Sequence, residues 1–191
     1  MPAVLRDFRR SHPAVELHLV EMAVGPQLAA IAAGTLDVGF VRLPPLSLPP
    51  GVTVLPLRPD SLVAALPAGH PLAALDAIPV AALAAEPMVL HHRAGAAELR
   101  SLIDDLCGRH GFTPQVVQSV PQISLTVRLV AAGLGLSLLP GSIAWLAVEG
   151  VVYRPLADAD IQYTLALAHR PQDPAPAVRA FIALAEKAAE I

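Results

Sequence analysis

The stretch at residues 129–142 constrains the fold more than any other part of the chain. An apolar run at helical spacing ends at Gly133, a second glycine follows at Gly135, and a short apolar segment then leads into Pro140. A glycine can take the left-handed conformation that ends a helix, and it also lets two backbones approach closely. A short apolar strand is typical of parallel sheets that are buried on both faces. The stretch therefore predicts a helix, a tight turn and a buried strand, which indicates an α/β fold.

Composition excludes several classes of protein. With 191 residues, 54% of them hydrophobic, the chain can bury one good core or two small ones. The net charge is −3, Lys187 is the single lysine, and arginines form no run, so we expect this chain alone to bind DNA poorly. No signal peptide or uninterrupted apolar span is present, so the cytoplasm is the expected compartment. Cys107 is the only cysteine, so it forms no internal disulfide and is expected to be a small buried hydrophobe.

Hydrophobic spacing predicts alternating helices and strands. The expected helices are at residues 2–10, 25–34, 96–109, 121–132 and 174–191, and the expected strands are at 15–19, 38–41, 52–55, 62–66, 88–90, 116–120, 136–139 and 163–169. The first strands and the helix between them predict a βαβ unit, and the middle of the chain predicts a parallel sheet of its own. Pro26 is expected at the first position of its helix, and Gly34 at the end. The proline-rich residues 44–50 form the first candidate boundary.

Five segments together resemble the effector-binding domain of LysR-type transcriptional regulators. They occur in the family's order at residues 5–13, 33–40, 69–73, 110–114 and 129–142. Residues 21–22 and 38–42 look most like the branch that senses muconates and other products of aromatic catabolism. The resemblance implies a periplasmic-binding-protein-like (type 2) α/β fold, with two βα lobes and an interlobe cleft. Lobe I would comprise residues 1–61 plus 165–191, and lobe II residues 62–164.

The resemblance also implies what lies outside this chain and how copies of it associate. The first strand of lobe I and the winged helix-turn-helix domain that binds promoter DNA are both expected to precede residue 1. Relatives pair lobe I of one chain with lobe II of the next, so a homodimer or tetramer is expected. The candidate contacts are Leu28, Ile31 and Ala32 on one side and the helix at residues 99–106 on the other.

Ligands of open α/β sheets bind beyond the carboxyl ends of the strands, often at helix starts. The resemblance places the turn at residues 23–25 where relatives bind an effector carboxylate with a hydroxyl group and backbone amides. This chain has Val24 where those relatives carry threonine, so only amides such as that of Gly25 remain to hold an anion. An ordinary helix start is the alternative interpretation.

A second candidate region follows the predicted strand at 88–90 and corresponds to the loop whose amides line the family's pocket. Its candidate residues are His92, Arg93, Gly95 and Ala96, and the first two would add positive charge for an acidic ligand. Neighbouring strand residues face opposite ways, so His91 and His92 are not expected to bind one metal. A solvated turn is the alternative.

Two further residues are candidates for contact with the ligand. Ser124 lies just inside the helix for which residues 119–122 provide capping-box spacing, at the family's interlobe hinge. Arg42 follows the predicted strand at 38–41 and would pair either with an effector carboxylate or with an acid of lobe I.

Catalytic interpretations find little support. There is no G-x-S-x-G motif, and the glycines at 133 and 135 follow a helix, which is the reverse of a dinucleotide fingerprint. Cys107 and His110 share a helix face but lack further metal ligands nearby. The expectation is a non-catalytic domain without metal or cofactor that senses a small carboxylic acid and has no membrane partner. The alternatives are a solute-binding protein of a transporter and, less favoured, an enzyme of the same fold.

Overall fold

The structure is a computed structural model that describes residues 2–43, 47–92, 97–144, 146–159, 161–172 and 175–189. The chain forms two compact units. Unit 1 comprises Met1–Pro59 and Tyr163–Ile191, and unit 2 comprises Asp60–Gln162. The elements in chain order are α1 (Pro2–Ser11), α2 (Val24–Ala33), β1 (Val38–Leu43), β2 (Thr53–Pro67), β3 (Pro87–His91), α3 (Ala97–Arg109), β4 (Gln115–Val120), α4 (Ile123–Ala131), β5 (Ser137–Pro140), β6 (Val151–Pro155), β7 (Gln162–His169) and α5 (Pro176–Ala189).

The sheet of unit 1 is covered by helices on both faces. β1 runs antiparallel to β7, which in turn neighbours β2. Side chains alternate between the two faces of a strand, and one face packs against α1 and α5 through a cluster that includes Phe8, Leu167 and Phe181. The other face packs against α2, where Leu28 and Ile31 are buried with residues of β1 and β7.

The end of α2 confirms the predicted glycine cap. Gly34 adopts φ 76°, its N–H donates to the carbonyl of Ile31 (3.1 Å), and the next residue, Thr35, donates to Ala30 (3.0 Å). This pattern is a Schellman motif, in which the glycine and the residue after it satisfy the last helical carbonyls. Arg170, just after β7, adds bonds of 2.9 Å to the carbonyls of Ile31 and Leu36. The helix end is thereby tied to the sheet.

Several expectations for unit 1 are wrong. Residues 15–19 form no strand, and their neighbourhood exposes apolar side chains, Leu19 at 73% and Val20 at 63%. A strand exists only when a neighbour binds its backbone, and none of the described strands pairs with this segment. The predicted βαβ unit is therefore missing its first strand. α2 begins at Val24, which puts Pro26 at its third position, where the absence of an N–H still costs no helical bond.

The sheet of unit 2 is mixed, whereas a parallel sheet was expected. β3 and β4 are parallel, with Met88 opposite Val116, and a parallel bridge joins Met88 to Leu136 beside β5. β2, however, runs antiparallel to β5, with Val63 opposite Leu139, and antiparallel to β6. The two predicted strands at 52–55 and 62–66 are one continuous strand, β2, which contributes to both units.

The stretch at residues 129–142 has the predicted geometry. α4 ends in a second Schellman motif, in which Gly133 at φ 78° donates to Val130 (2.9 Å) and Leu134 donates to Leu129 (3.1 Å). At Gly135 an added Cβ would overlap the carbonyl oxygen of Pro87 and lie 2.9 Å from its carbonyl carbon. The close backbone approach expected at this glycine is therefore confirmed, and all residues of β5 are buried.

The predicted capping box at residues 119–122 is wrong. Ser119 belongs to β4, where it pairs with Leu90 of β3, and α4 begins only at Ile123. Gln122 occupies the position before α4, and its side chain makes no capping bond. Strand pairing holds Ser119 extended, three residues before the N-cap position that Gln122 occupies.

Cys107 is a buried residue of α3, as predicted, with 0% of its surface exposed. Burial and, to a smaller extent, the nearby Asp104 carboxylate raise the pKa of the thiol to about 11. Across the described ranges, no helix is both long and apolar enough to cross a membrane.

Two of the three predicted interface residues on α2 are wrong for a physical reason. Leu28 and Ile31 are 3% and 0% exposed, because they form the core between α2 and the sheet of unit 1. On α3 of unit 2, Leu99, Ile103 and Leu106 are also buried. Apolar periodicity locates the inward face of a helix, and here that face is covered within its own unit.

Candidate functional site

The start of α2 in unit 1 has backbone amides that no described side chain caps. Ala23 precedes the helix with φ −63° and ψ 153°, and no side chain caps the first turn. Val24 is half-buried against the α2 core cluster, so its backbone is held in place. Gly25 is exposed, and an added Cβ there would have no neighbour within 4 Å. Free N–H groups at the positive end of a helix, with open space before them, suit a carboxylate.

Arg42 is the last residue but one of β1 and carries a positive charge. Side chains two residues apart on a strand share a face, and Val38 and Phe40 pack on the α1 and α5 side. The Arg42 side chain therefore lies on the face opposite α2. The guanidinium carbon is 5.9 Å from the centre of the Tyr163 ring, a cation–π distance. Its Nε is buried without a hydrogen-bond partner, and among the described residues the side chain has no ion pair. The residue as a whole is partly exposed, so an anion at the guanidinium would pair with a charge that has no ion pair among the described residues.

His92 and Ser124 lie at one edge of unit 2. β3 and β4 are parallel neighbours, so their carboxyl ends meet there, and the N–H of His92 donates to the carbonyl of Val120 (2.9 Å). Both His92 and Ser124 are exposed, and Ser124 is the second residue of the uncapped helix α4. His91, by contrast, is 4% exposed, so His92 and not His91 is accessible from solvent. Arg93, Gly95 and Ala96 lie outside the described residues.

Asp60 is a polar residue that sequence reasoning missed. Its Oδ1 accepts N–H bonds from Ser61 (2.9 Å) and from Ser142 (3.1 Å), just beyond β5, while Oδ2 is buried without a partner among the residues that the structure describes. Leu136, just before β5, forms a parallel bridge with Met88 of β3, so this carboxylate lies toward the same edge of unit 2 as His92. An isolated aspartate within a strand pattern carries no sequence signal for this contact, which joins residues 82 positions apart.

Metal binding finds no support in the parts of the chain that the structure describes. No three His, Cys, Asp or Glu side chains there are grouped closely enough to hold an ion. Cys107 is buried, and His110 instead lies 3.8 Å from the carboxylate of Asp158.

The two-unit α/β fold and the sequence together define the family. The model of the LysR substrate binding domain matches residues 1–190, and the chain belongs to this family. The chain is similar to the Hca operon transcriptional activator HcaR of Escherichia coli (strain K12), with 32% identity over 187 residues, 98% of this chain and 62% of that protein. It is also 34% identical to the regulator IlvR of Caulobacter vibrioides over 185 residues, 96% of this chain and 62% of that protein. The chain thus spans about three fifths of the length of these relatives.

A solved structure with a similar fold is described as the BenM effector binding domain with its effector benzoate. The TM-score is 0.82 and the identity 26%, over 98% of this chain and 84% of that one. The fold is therefore the periplasmic-binding-protein-like type that the sequence predicted. The named relatives are transcriptional regulators, which supports a regulator domain over a transporter's solute-binding protein.

Proposed function

We propose that this chain is the effector-sensing and oligomerisation domain of a LysR-type transcriptional regulator, and that its effector is a small carboxylic acid. The observation that carries the proposal is the likeness, along 98% of the chain, to a domain solved with benzoate as its effector. The uncapped start of α2 and the open donor of Arg42 supply groups suited to an anion.

Each unit contributes its own candidate contacts. In unit 1 these are the amides of Val24 and Gly25, with Arg42 as a charged donor on the other face of the sheet. In unit 2 they are His92 and Ser124, joined on the family resemblance alone by Arg93, Gly95 and Ala96. Because Val24 has no hydroxyl group, the carboxylate would depend on backbone donors at this position.

Sensing requires only that the effector bind one arrangement of the regulator more tightly than another. No catalytic step or cofactor is needed. In the whole regulator, which acts in the cytoplasm, a helix-turn-helix segment outside this chain would bind promoter DNA. Copies of the chain would form a dimer or tetramer.

Exposed apolar side chains are the better candidates for that association. Leu19 and Val20 are 73% and 63% exposed in unit 1, and Val117 and Leu125 are 54% and 38% exposed in unit 2. Unlike Leu28 and Ile31, these side chains are available to bury apolar surface against another copy.

Calorimetric titration of the purified chain with benzoate, cis,cis-muconate and chlorinated benzoates tests the proposal. Benzamide is the control, because it keeps the ring and loses the charge. We expect at least one acid to bind and benzamide not to bind. Equal binding of benzamide, or binding of none of the acids, would contradict a carboxylate effector.

A further inference from the structure

Gln27 and Gly39 form a matched pair beneath the start of α2. Gln27 is the fourth residue of α2 and only 9% exposed. Its Nε2 reaches back to donate to the carbonyl of Met22 (3.3 Å), in the loop that leads into the helix. Ala23 has no side chain that could cap the helix, so the first turn lacks the usual restraint. The bond from Gln27 to Met22 restrains this segment instead.

Gly39 provides the space that the Gln27 side chain occupies. A Cβ added at Gly39 would overlap Gln27 Oε1 and lie 2.7 Å from its Cδ and 2.9 Å from its Cγ. The obstructing atoms belong to a side chain, so a larger residue here would displace Gln27 rather than the backbone of α2. Among the described residues Oε1 is buried without a hydrogen-bond partner, so the contacts that hold the amide are its bond to Met22 and its packing against Gly39.

We propose that Gln27, seated on Gly39, is a positioning residue that sets the conformation of residues 22–25 and thereby aims the free amides at the start of α2. The pair acts on the loop and does not itself contact the ligand. Its relevance to binding rests on the proposed function, whereas its effect on the loop does not.

Hydrogen–deuterium exchange on the 191-residue chain tests the effect on the loop. In Gln27→Ala the bond to Met22 is removed, and in Gly39→Ala the added methyl displaces Gln27. We expect both to speed exchange of the backbone amide at position 27, which donates to the carbonyl of Ala23 (2.9 Å), roughly three- to tenfold, as the loss of one hydrogen bond implies, and to leave residues 31–36 unchanged. The matched control is Thr35→Ala, which removes a side-chain bond to Ala30 at the other end of α2 and should leave residues 22–27 unchanged.

The double variant separates a specific pair from general loosening. Once Gln27 is alanine, the methyl at position 39 has nothing to displace, so Gln27→Ala/Gly39→Ala should match Gln27→Ala alone. Three outcomes would overturn the proposed pairing of Gln27 with Gly39. The effects of the two substitutions could add, the faster exchange could spread evenly along α2, or Gly39→Ala could leave the exchange of the loop unchanged.

Benzoate affinity provides the second readout. Both single variants should weaken benzoate binding roughly three- to tenfold, while Thr35→Ala keeps it. If exchange responds and benzoate affinity does not, the positioning role is refuted. If the unchanged protein binds no acid of the panel, the proposed function fails, and exchange alone still decides whether the pair sets the loop.

Discussion

Gly135→Ala should destabilise unit 2 more than a methyl group normally does. The glycine lies at φ 154° directly over the backbone of β3, where the new Cβ would overlap the carbonyl oxygen of Pro87. That carbonyl cannot retreat freely, because it accepts the N–H of Leu136 at 2.9 Å. Backbone strain of about 1–3 kcal/mol and overpacking of about 1–3 kcal/mol add to an expected loss of roughly 2–6 kcal/mol in the free energy of unfolding.

Urea denaturation followed by far-ultraviolet circular dichroism measures this loss. Gly25→Ala is the matched control, because its φ is not positive and an added Cβ meets nothing within 4 Å, so it should change stability by less than about 1 kcal/mol. A Gly135→Ala protein that is as stable as the control, with an unchanged denaturant slope, would refute the argument that close packing on Pro87 requires glycine.

Four other outcomes test the site, the core and the surface. Arg42→Met should weaken carboxylate binding about ten- to a hundredfold in calorimetry if its guanidinium contacts the ligand, and unchanged affinity would assign the anion to backbone amides alone. Val24→Thr should strengthen it roughly two- to tenfold, since the hydroxyl adds a donor, and a weaker complex would contradict that placement. Folding raises the Cys107 pKa from 9.0 to about 11, so the folded state keeps a proton that the unfolded state releases. The free energy of unfolding should therefore fall as pH rises from about 9 toward 11. The Cys107→Ala protein should lack that component, and identical pH profiles of the two proteins would argue against it. Leu19→Glu or Val117→Glu should yield monomers in analytical ultracentrifugation if these exposed residues bury surface between copies, and an undisturbed dimer would rule them out.

The parts of the candidate site that sequence could predict are those with local signals. The helix start at residues 23–25 and the polar residues after β3 follow from the order of helices and strands and from the family resemblance. Gln27 and Asp60 were missed because their contacts are set by backbone geometry. Gln27 occupies space that Gly39 of β1 leaves free, and Asp60 accepts a hydrogen bond from the amide of Ser142, 82 residues away.

Sequence alone determined the features that depend only on residues close together along the chain. Gly34 and Gly133 end their helices because a left-handed residue satisfies the last carbonyls, whatever the helix packs against. The apolar spacing of α1, α2 and α5 likewise identifies their inward faces, and the order of five segments identifies the family.

Tertiary structure alone decided which segments pair as strands and which side chains are covered by other elements. Residues 15–19 have a strand-like pattern but no neighbour among the described strands, and Ser119 has a capping pattern but is held in β4 by Leu90. The apolar spacing places Leu28 and Ile31 on one face of α2, but only the structure shows that this face packs on the sheet of unit 1 and not on another copy of the chain. The open Nε of Arg42 is visible only once its strand is packed. For Ser119, Leu28 and Ile31 the deciding interaction joins residues far apart in sequence, so its free energy exists only after folding brings them together.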